Sequence, residues 1–215
     1  MANIRMISEL TISLLRDDMS IDIEHLKSKL DSNSLSQFKS CAVEALESFV
    51  QSLSCSNAKE EINSVASRYI ELVSDWEFEE FIDSMRHAFV AYSQGGLRDL
   101  FFHQENQAWY PRVKLKRALT PNDIHTLCDF VTVYRGCDLI ESNTREYGQS
   151  WTKSEEVARE FAFVHYSSQA WFSKASRCVL KATIHKDHVF YSDQSKHEQE
   201  VVVDTEKLRN VELCA

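Results

Sequence analysis

An α+β fold is predicted by three features of this 215-residue chain. Residues 4–94 carry apolar side chains at helical spacing, the period shortens to that of strands from Phe130 onward, and the pair Gly95–Gly96 separates the two regimes. Helices followed by strands, rather than the two in alternation, indicate an α+β protein and not a parallel α/β sheet. The expected division is a helical region at 1–96 and a mostly β domain at 97–215.

In the helical region, Ile4, Ile7, Leu10, Leu14 and Leu15 form a first apolar stripe, and Ile21, Ile23, Leu26 and Leu30 a second. A longer helix is expected from about Leu35 to Ser54, through Phe38, Val43, Leu46, Phe49, Val50 and Leu53. Asn57 with Glu60, and Ser74 with Glu77, have the spacing of capping boxes that open two further helices. These run through Ile62, Val65, Tyr69 and Val73, and then through Phe78, Phe81, Met85 and Phe89. The glycine pair ends the block.

Residues 97–117 are irregular and aromatic (Phe101, Phe102, Trp109, Tyr110), and then basic at Arg112, Lys114, Lys116 and Arg117. That patch is either a solvated face or a grip on phosphates. Thr120-Pro121-Asn122-Asp123 reads as a helix start with proline at the first helical position, the helix ending near Asp129. Phe130–Arg135 is a strand that turns at Gly136. Thr152 and Glu155 form a capping box for a helix at about 153–165, which buries Val157, Ala158, Phe161 and Ala162. Cys178–Ile184, Val189–Tyr191, Glu200–Val203 and Val211–Leu213 are the remaining strands.

Composition narrows the function classes. A hydrophobic share of 43% suits a globular chain, and two prolines with four glycines argue against long linkers. No basic region followed by an apolar core stands at the Met1 end, and no apolar run reaches the roughly 18 residues of a membrane span. A cytoplasmic protein without membrane contact is expected. Six cysteines without a Cys-x-x-Cys pair imply reduced, mostly buried thiols and no zinc site. Residues 1–100 hold 9 Lys+Arg against 17 Asp+Glu, whereas 101–215 hold 15 against 16. The acidic front half is poorly suited to nucleic-acid backbones.

Three small motifs in the back half carry possible chemistry. Tyr134-Arg135-Gly136 ends a strand with a guanidinium fork, suited to phosphate, beside a glycine that admits close backbone approach. Taken alone, it is also an ordinary surface strand end. Ser150-x-Thr152 sets two hydroxyls at a strand-to-helix corner, which a helix cap by itself would explain. Glu198-Gln199-Glu200 sends two carboxylates from one side of an extended chain into a valine strand, where burial is costly without a partner or a task.

In this order, with 15 residues from Arg135 to Ser150 and 50 from Ser150 to Glu200, the three motifs resemble the mono-ADP-ribosyltransferases of the Arg–Ser–Glu class, many of them bacterial toxins and effectors. The likeness covers about Leu119 to Leu213 and none of the first hundred residues. It departs from the family at Trp151-Thr152, where Thr-Ser is more usual. A histidine–tyrosine–glutamate transferase would want histidine where Arg135 stands.

The resemblance implies a split β-sandwich and NAD as co-substrate. Arg135 would bind the NAD phosphates or the adjacent ribose, and the Gly136 backbone would hold the nicotinamide amide. Ser150 would orient Glu200, with Thr152 supporting the same pocket. Glu200 would bind the ribose 2′-hydroxyl and stabilise the cation-like state, and Glu198 would steer or deprotonate the acceptor. Tyr166, Trp171 and Phe172 are candidates to stack on nicotinamide, or are plain packing. The segment Ser192–His197 corresponds to the target-recognition turn. His197 reads as a loop residue near the acceptor and His165 as a partly buried helical one. The Glu-x-Glu pair resembles the arginine-modifying branch, so a protein arginine is the first expected acceptor and an RNA or DNA base the second. A NAD glycohydrolase and a non-enzymatic NAD- or partner-binding module are the competing readings. The acidic helical block is a candidate surface for an antitoxin or chaperone.

Overall fold

The computed structural model describes residues 6–32, 34–104, 111–170 and 172–214, in two compact units, Met1–Lys114 and Leu115–Ala215. The boundary lies beyond residue 96 because the chain after the helix Trp76–Phe102 returns to the helical unit. Val113 bridges to Ile21, the Asp22 amide donates to the Arg112 carbonyl at 2.8 Å, and the Lys114 amide to that of Ser20 at 2.8 Å.

The first unit comprises α1 (Glu9–Ser13), which continues into a π turn at Leu14–Asp18, then α2 (Ile23–Leu30), α3 (Lys39–Ser52), α4 (Ala58–Leu72) and α5 (Trp76–Phe102). The inner faces of α3, α4 and α5 contribute Phe49, Ile62, Phe78, Phe81 and Phe89, all fully buried. Phe49 and Phe89 meet at 5.4 Å between ring centroids. The first predicted stripe is shifted: Leu10 is 76% exposed and the buried side chains are Leu15 and Met19. Two predicted caps also differ. Asp75, not Ser74, accepts from the Glu77 and Phe78 amides, and Asn57 donates to the Glu61 carboxylate instead of capping. Gly96, at φ 65°, breaks the helix as expected, but the chain resumes helical geometry and buries Leu97, Leu100 and Phe101. No described helix is long and apolar enough to cross a membrane.

The second unit is a six-stranded antiparallel sheet with two helices. Its elements are β1 (Phe130–Asp138), α6 (Leu139–Thr144), β2 (Ser150–Thr152), α7 (Glu155–Phe163), β3 (Arg177–His185), β4 (Val189–Asp193), β5 (Glu200–Val203) and β6 (Arg209–Leu213). The strand order is β4-β5-β2-β1-β3-β6. The register joins β1 to β3 over nine residue pairs but joins β1 to β2 only at Tyr134–Thr152. The pairing of β1 with β2, at one residue pair, is thus the narrowest link in the sheet.

Alternation along these strands gives the sheet two apolar faces. Val131, Val133, Cys137, Trp151, Leu180, Ile184, Val201 and Val203 cluster on one. On the other, Ala158 and Ala162 of α7 lie against Val179 and Tyr134. The proline-led helix predicted at 121–129 is instead a single 3-10 turn, Ile124–Thr126, following a cis Thr120–Pro121 bond. The segment has another use. Leu119 and Asp123 donate their amides to the Phe190 and Ser192 carbonyls along the edge strand β4.

Candidate active site

Ser150 is where the three predicted motifs meet. Its carbonyl accepts from Arg135 Nη1 at 2.8 Å, and its side chain lies near enough to the Glu200 carboxylate to favour the ionised form. The topology makes this possible, since Arg135, Ser150 and Glu200 stand on the adjacent strands β1, β2 and β5. Register places Glu200 opposite Thr152, with Ser150 one diagonal step away on the same face.

Glu200 is held above the ordinary carboxylate range, first by burial and also by the nearby charge of Glu198, while the Ser150 hydroxyl pulls the other way. The Glu-x-Glu segment is not extended as expected. Gln199 adopts φ 43° and donates its amide to the Lys196 carbonyl, so the chain turns before β5 begins at Glu200. Glu198 therefore sits on the exposed turn, still close enough to act on Glu200 electrostatically.

Arg135 has a partner that sequence reasoning missed. Glu141, on α6, receives Nε at 2.8 Å and Nη2 at 2.9 Å, a bidentate pair with both side chains about four-fifths buried. The same carboxylate accepts the Gly148 amide at 2.9 Å. A side chain at Gly148 would overlap the guanidinium, so glycine lets the arginine lie flat on the backbone there. Three of the five N–H groups of Arg135 are used by Glu141 and Ser150, leaving two. Its first role is thus to tie β1 to the start of β2, rather than to stand open as a phosphate fork. The clue was the spacing of Glu141, six residues after Arg135, behind Asp138, which caps α6 through the Ile140 amide.

Gly136 has two distinct constraints. A methyl in place of its hydrogen would overlap the Ala158 carbonyl and the Ala162 amide, so α7 lies directly on this residue. Its polar groups point elsewhere. The Val179 carbonyl, opposite Gly136, is taken by the Cys214 amide. Antiparallel pairing alternates side by side, so the N–H and C=O of Gly136 face β2, just past the last β1–β2 register pair.

The capping box is corrected by two residues. Ser154 is the N-cap, accepting from the Val157 amide at 3.3 Å, and Thr152 accepts the Ser154 amide at 3.0 Å. The buried Thr152 hydroxyl therefore supports the strand-to-helix corner. Trp151 is a core residue whose Nε1 donates to the Gly148 carbonyl. His165 lies beyond the end of α7 and is exposed, not partly buried. The exposed His197 faces Glu160 at 3.5 Å. Tyr166 is half-buried under Arg177 and lies within electrostatic reach of Arg135. Phe172 is half-buried, and Trp171 falls outside the described residues.

The basic patch is divided: Arg112 and Lys114 belong to the first unit, with Lys114 paired to Asp22 at 2.9 Å, and Lys116 and Arg117 belong to the second. Of the six thiols only Cys137 and Cys178 are buried, 3.7 Å apart on β1 and β3, and both are raised by burial. Among the described residues no cluster of His, Cys, Asp and Glu is arranged to hold a metal. A surface cleft of about 440 Å³ lies between α3 and α4, lined by Glu44, Glu47, Arg68 and Tyr69 among others, and contains none of the motif residues. No protein-family model, curated protein or solved structure matches the chain.

Proposed function

We propose that the second unit is a NAD-dependent mono-ADP-ribosyltransferase on a split β-sandwich, of the toxin or effector kind, acting on a macromolecule in the cytoplasm. The observation that carries this reading is the place of Ser150, its carbonyl bonded to Arg135 and its side chain beside Glu200. Three motifs far apart in sequence thus come together on the adjacent strands β1, β2 and β5.

The residues fit NAD in specific ways. A strand-edge N–H and C=O, as at Gly136, match the donor and acceptor of a carboxamide. A half-buried carboxylate beside a serine suits a ribose hydroxyl. Arg135 retains two N–H groups for a phosphate or ribose oxygen. NAD supplies the labile nicotinamide–ribose bond. Glu200, ionised and poorly solvated, lowers the free energy of the positive charge that grows on the ribose as this bond breaks, a contribution of several kcal/mol in a preorganised site. Ser150 keeps that carboxylate from rotating away. Glu198, on the turn outside, is available to take a proton from the acceptor.

A protein arginine is the first acceptor proposed, because a guanidinium is met by the two carboxylates Glu198 and Glu200. A nucleic-acid base and water are the alternatives. Purified protein, labelled NAD and a cell lysate separate them. Label removed by protease marks a protein acceptor, and label removed by nuclease marks a nucleic acid. Nicotinamide release without label marks a glycohydrolase.

A further inference from the structure

Between β4 and β5 the chain makes an exposed turn that carries Lys196, His197 and Glu198. Most of its bonds are internal: Asp193 accepts the amide and hydroxyl of Ser195 at 3.2 and 2.6 Å and pairs with Lys196 at 3.3 Å, and the Gln199 amide closes on the Lys196 carbonyl. Such bonds shape the turn without fixing where it stands. The His197–Glu160 pair is exposed on both sides and contributes little.

Two ties join the turn to the rest of the unit: at its far end the Lys153 amide donates to the Gln199 carbonyl at 3.2 Å, and at its start stands Gln194. Its amide donates to Asp123 Oδ2 at 2.6 Å, a short charge-assisted bond spanning 71 residues. Its side-chain Nε2 donates to Ser192 Oγ at 3.0 Å and to the Glu200 carbonyl at 3.3 Å. Asp123 is itself held, its own amide bonded to the Ser192 carbonyl on the edge of β4. One carboxylate outside the motifs thus reaches, through one glutamine, the backbone of Glu200 and the start of the segment bearing Glu198.

We propose that Asp123 is a positioning residue which, acting through Gln194, fixes the β4–β5 turn and thereby decides whether ADP-ribose passes to a macromolecular acceptor or to water. The inference rests on the transferase reading above. Glu200 is anchored independently, by strand pairing to Thr152 and by Ser150, so loosening the turn leaves bond cleavage largely intact. Glu198 lies within the turn, held on one side by the Gln199 carbonyl bond to Lys153 and on the other by Gln194, and an acceptor misplaced by about 1 Å is enough to cost up to a hundredfold in rate.

The experiment compares the full-length protein with Asp123→Leu, which removes the acceptor oxygens at similar size, and Asp123→Asn, which keeps one. Amide hydrogen exchange of residues 194–199 is measured beside nicotinamide release and label transfer to lysate. In Asp123→Leu we expect faster exchange at 194–199, with unchanged protection in β1 and β3. Label transfer should fall about tenfold or more against less than about threefold for nicotinamide release, and Asp123→Asn should recover most of the transfer. Unchanged exchange at 194–199 overturns the latch whatever the activities do. Equal losses of release and transfer overturn its role in partition. A wild-type protein that releases no nicotinamide overturns the transferase reading and with it the partition, while hydrogen exchange still decides whether the latch exists.

Discussion

Ser150 shows why a weak motif becomes informative in context. Its carbonyl is bonded to Arg135 and its side chain stands beside Glu200, so one residue of β2 brings the motifs of β1 and β5 together. Glu200 gives a signed prediction. Its carboxyl is raised in the folded protein, so above that raised value folding carries the cost of an ionised, poorly solvated group, a cost that vanishes once the pH falls below its ordinary value of 4.5. Glu200→Gln should therefore melt higher than wild type at pH 7.5, the gap closing as the pH is lowered. Nicotinamide release by wild type should fall on acidification at a pH above the usual carboxylate range, because the ionised form is the active one. Glu141 is a different case. Removing one member of a largely buried, bidentate pair leaves Arg135 unpaired and the Gly148 amide without its acceptor. Glu141→Ala should lose about 3 kcal/mol in denaturant melts, with a raised KM for NAD, and Glu141→Gln should recover part of both.

Among the elements, those with a strong period were readable from sequence, and those fixed by partners far along the chain were not. The valine strand β5 begins at Glu200 as expected, because nothing competes with its β propensity. β1 runs on through Gly136 to Asp138, because β3 supplies nine paired positions that a local reading cannot see. The helix expected after Pro121 gave way to bonds along β4, a tertiary demand that outweighs the local start signal. The cap of α7 moved from Thr152 to Ser154 because Thr152 belongs to β2, paired with both Tyr134 and Glu200. Of the site, Arg135, Ser150 and Glu200 came from sequence, while Glu141 and Asp123 did not, since Asp123 was read as part of a helix start and both find their partners only through the fold. Gly136 was noticed for backbone approach to a ligand, and the structure adds the helix on its other side. Gly136→Ala should cost about 3 kcal/mol or fail to fold, because the atoms in its way are the backbone of α7 and cannot rotate aside.

Two compact units, each with its own core, make up the chain, and they differ in charge as well as in structure. Calorimetry is expected to resolve two transitions, of which Gly136→Ala and Glu141→Ala lower only the one belonging to residues 115–215. A single transition that moves as a whole would contradict that independence. The acidic helical unit remains a candidate surface for an antitoxin or chaperone, whereas the proposed chemistry uses residues of the second unit alone. The most direct measurement is therefore nicotinamide release from NAD by the purified protein, beside its Ser150→Ala and Glu200→Gln variants. Release by wild type, reduced about a hundredfold or more in Glu200→Gln and by a smaller factor in Ser150→Ala, is the predicted result. Full turnover by Glu200→Gln, or none by wild type, would contradict it.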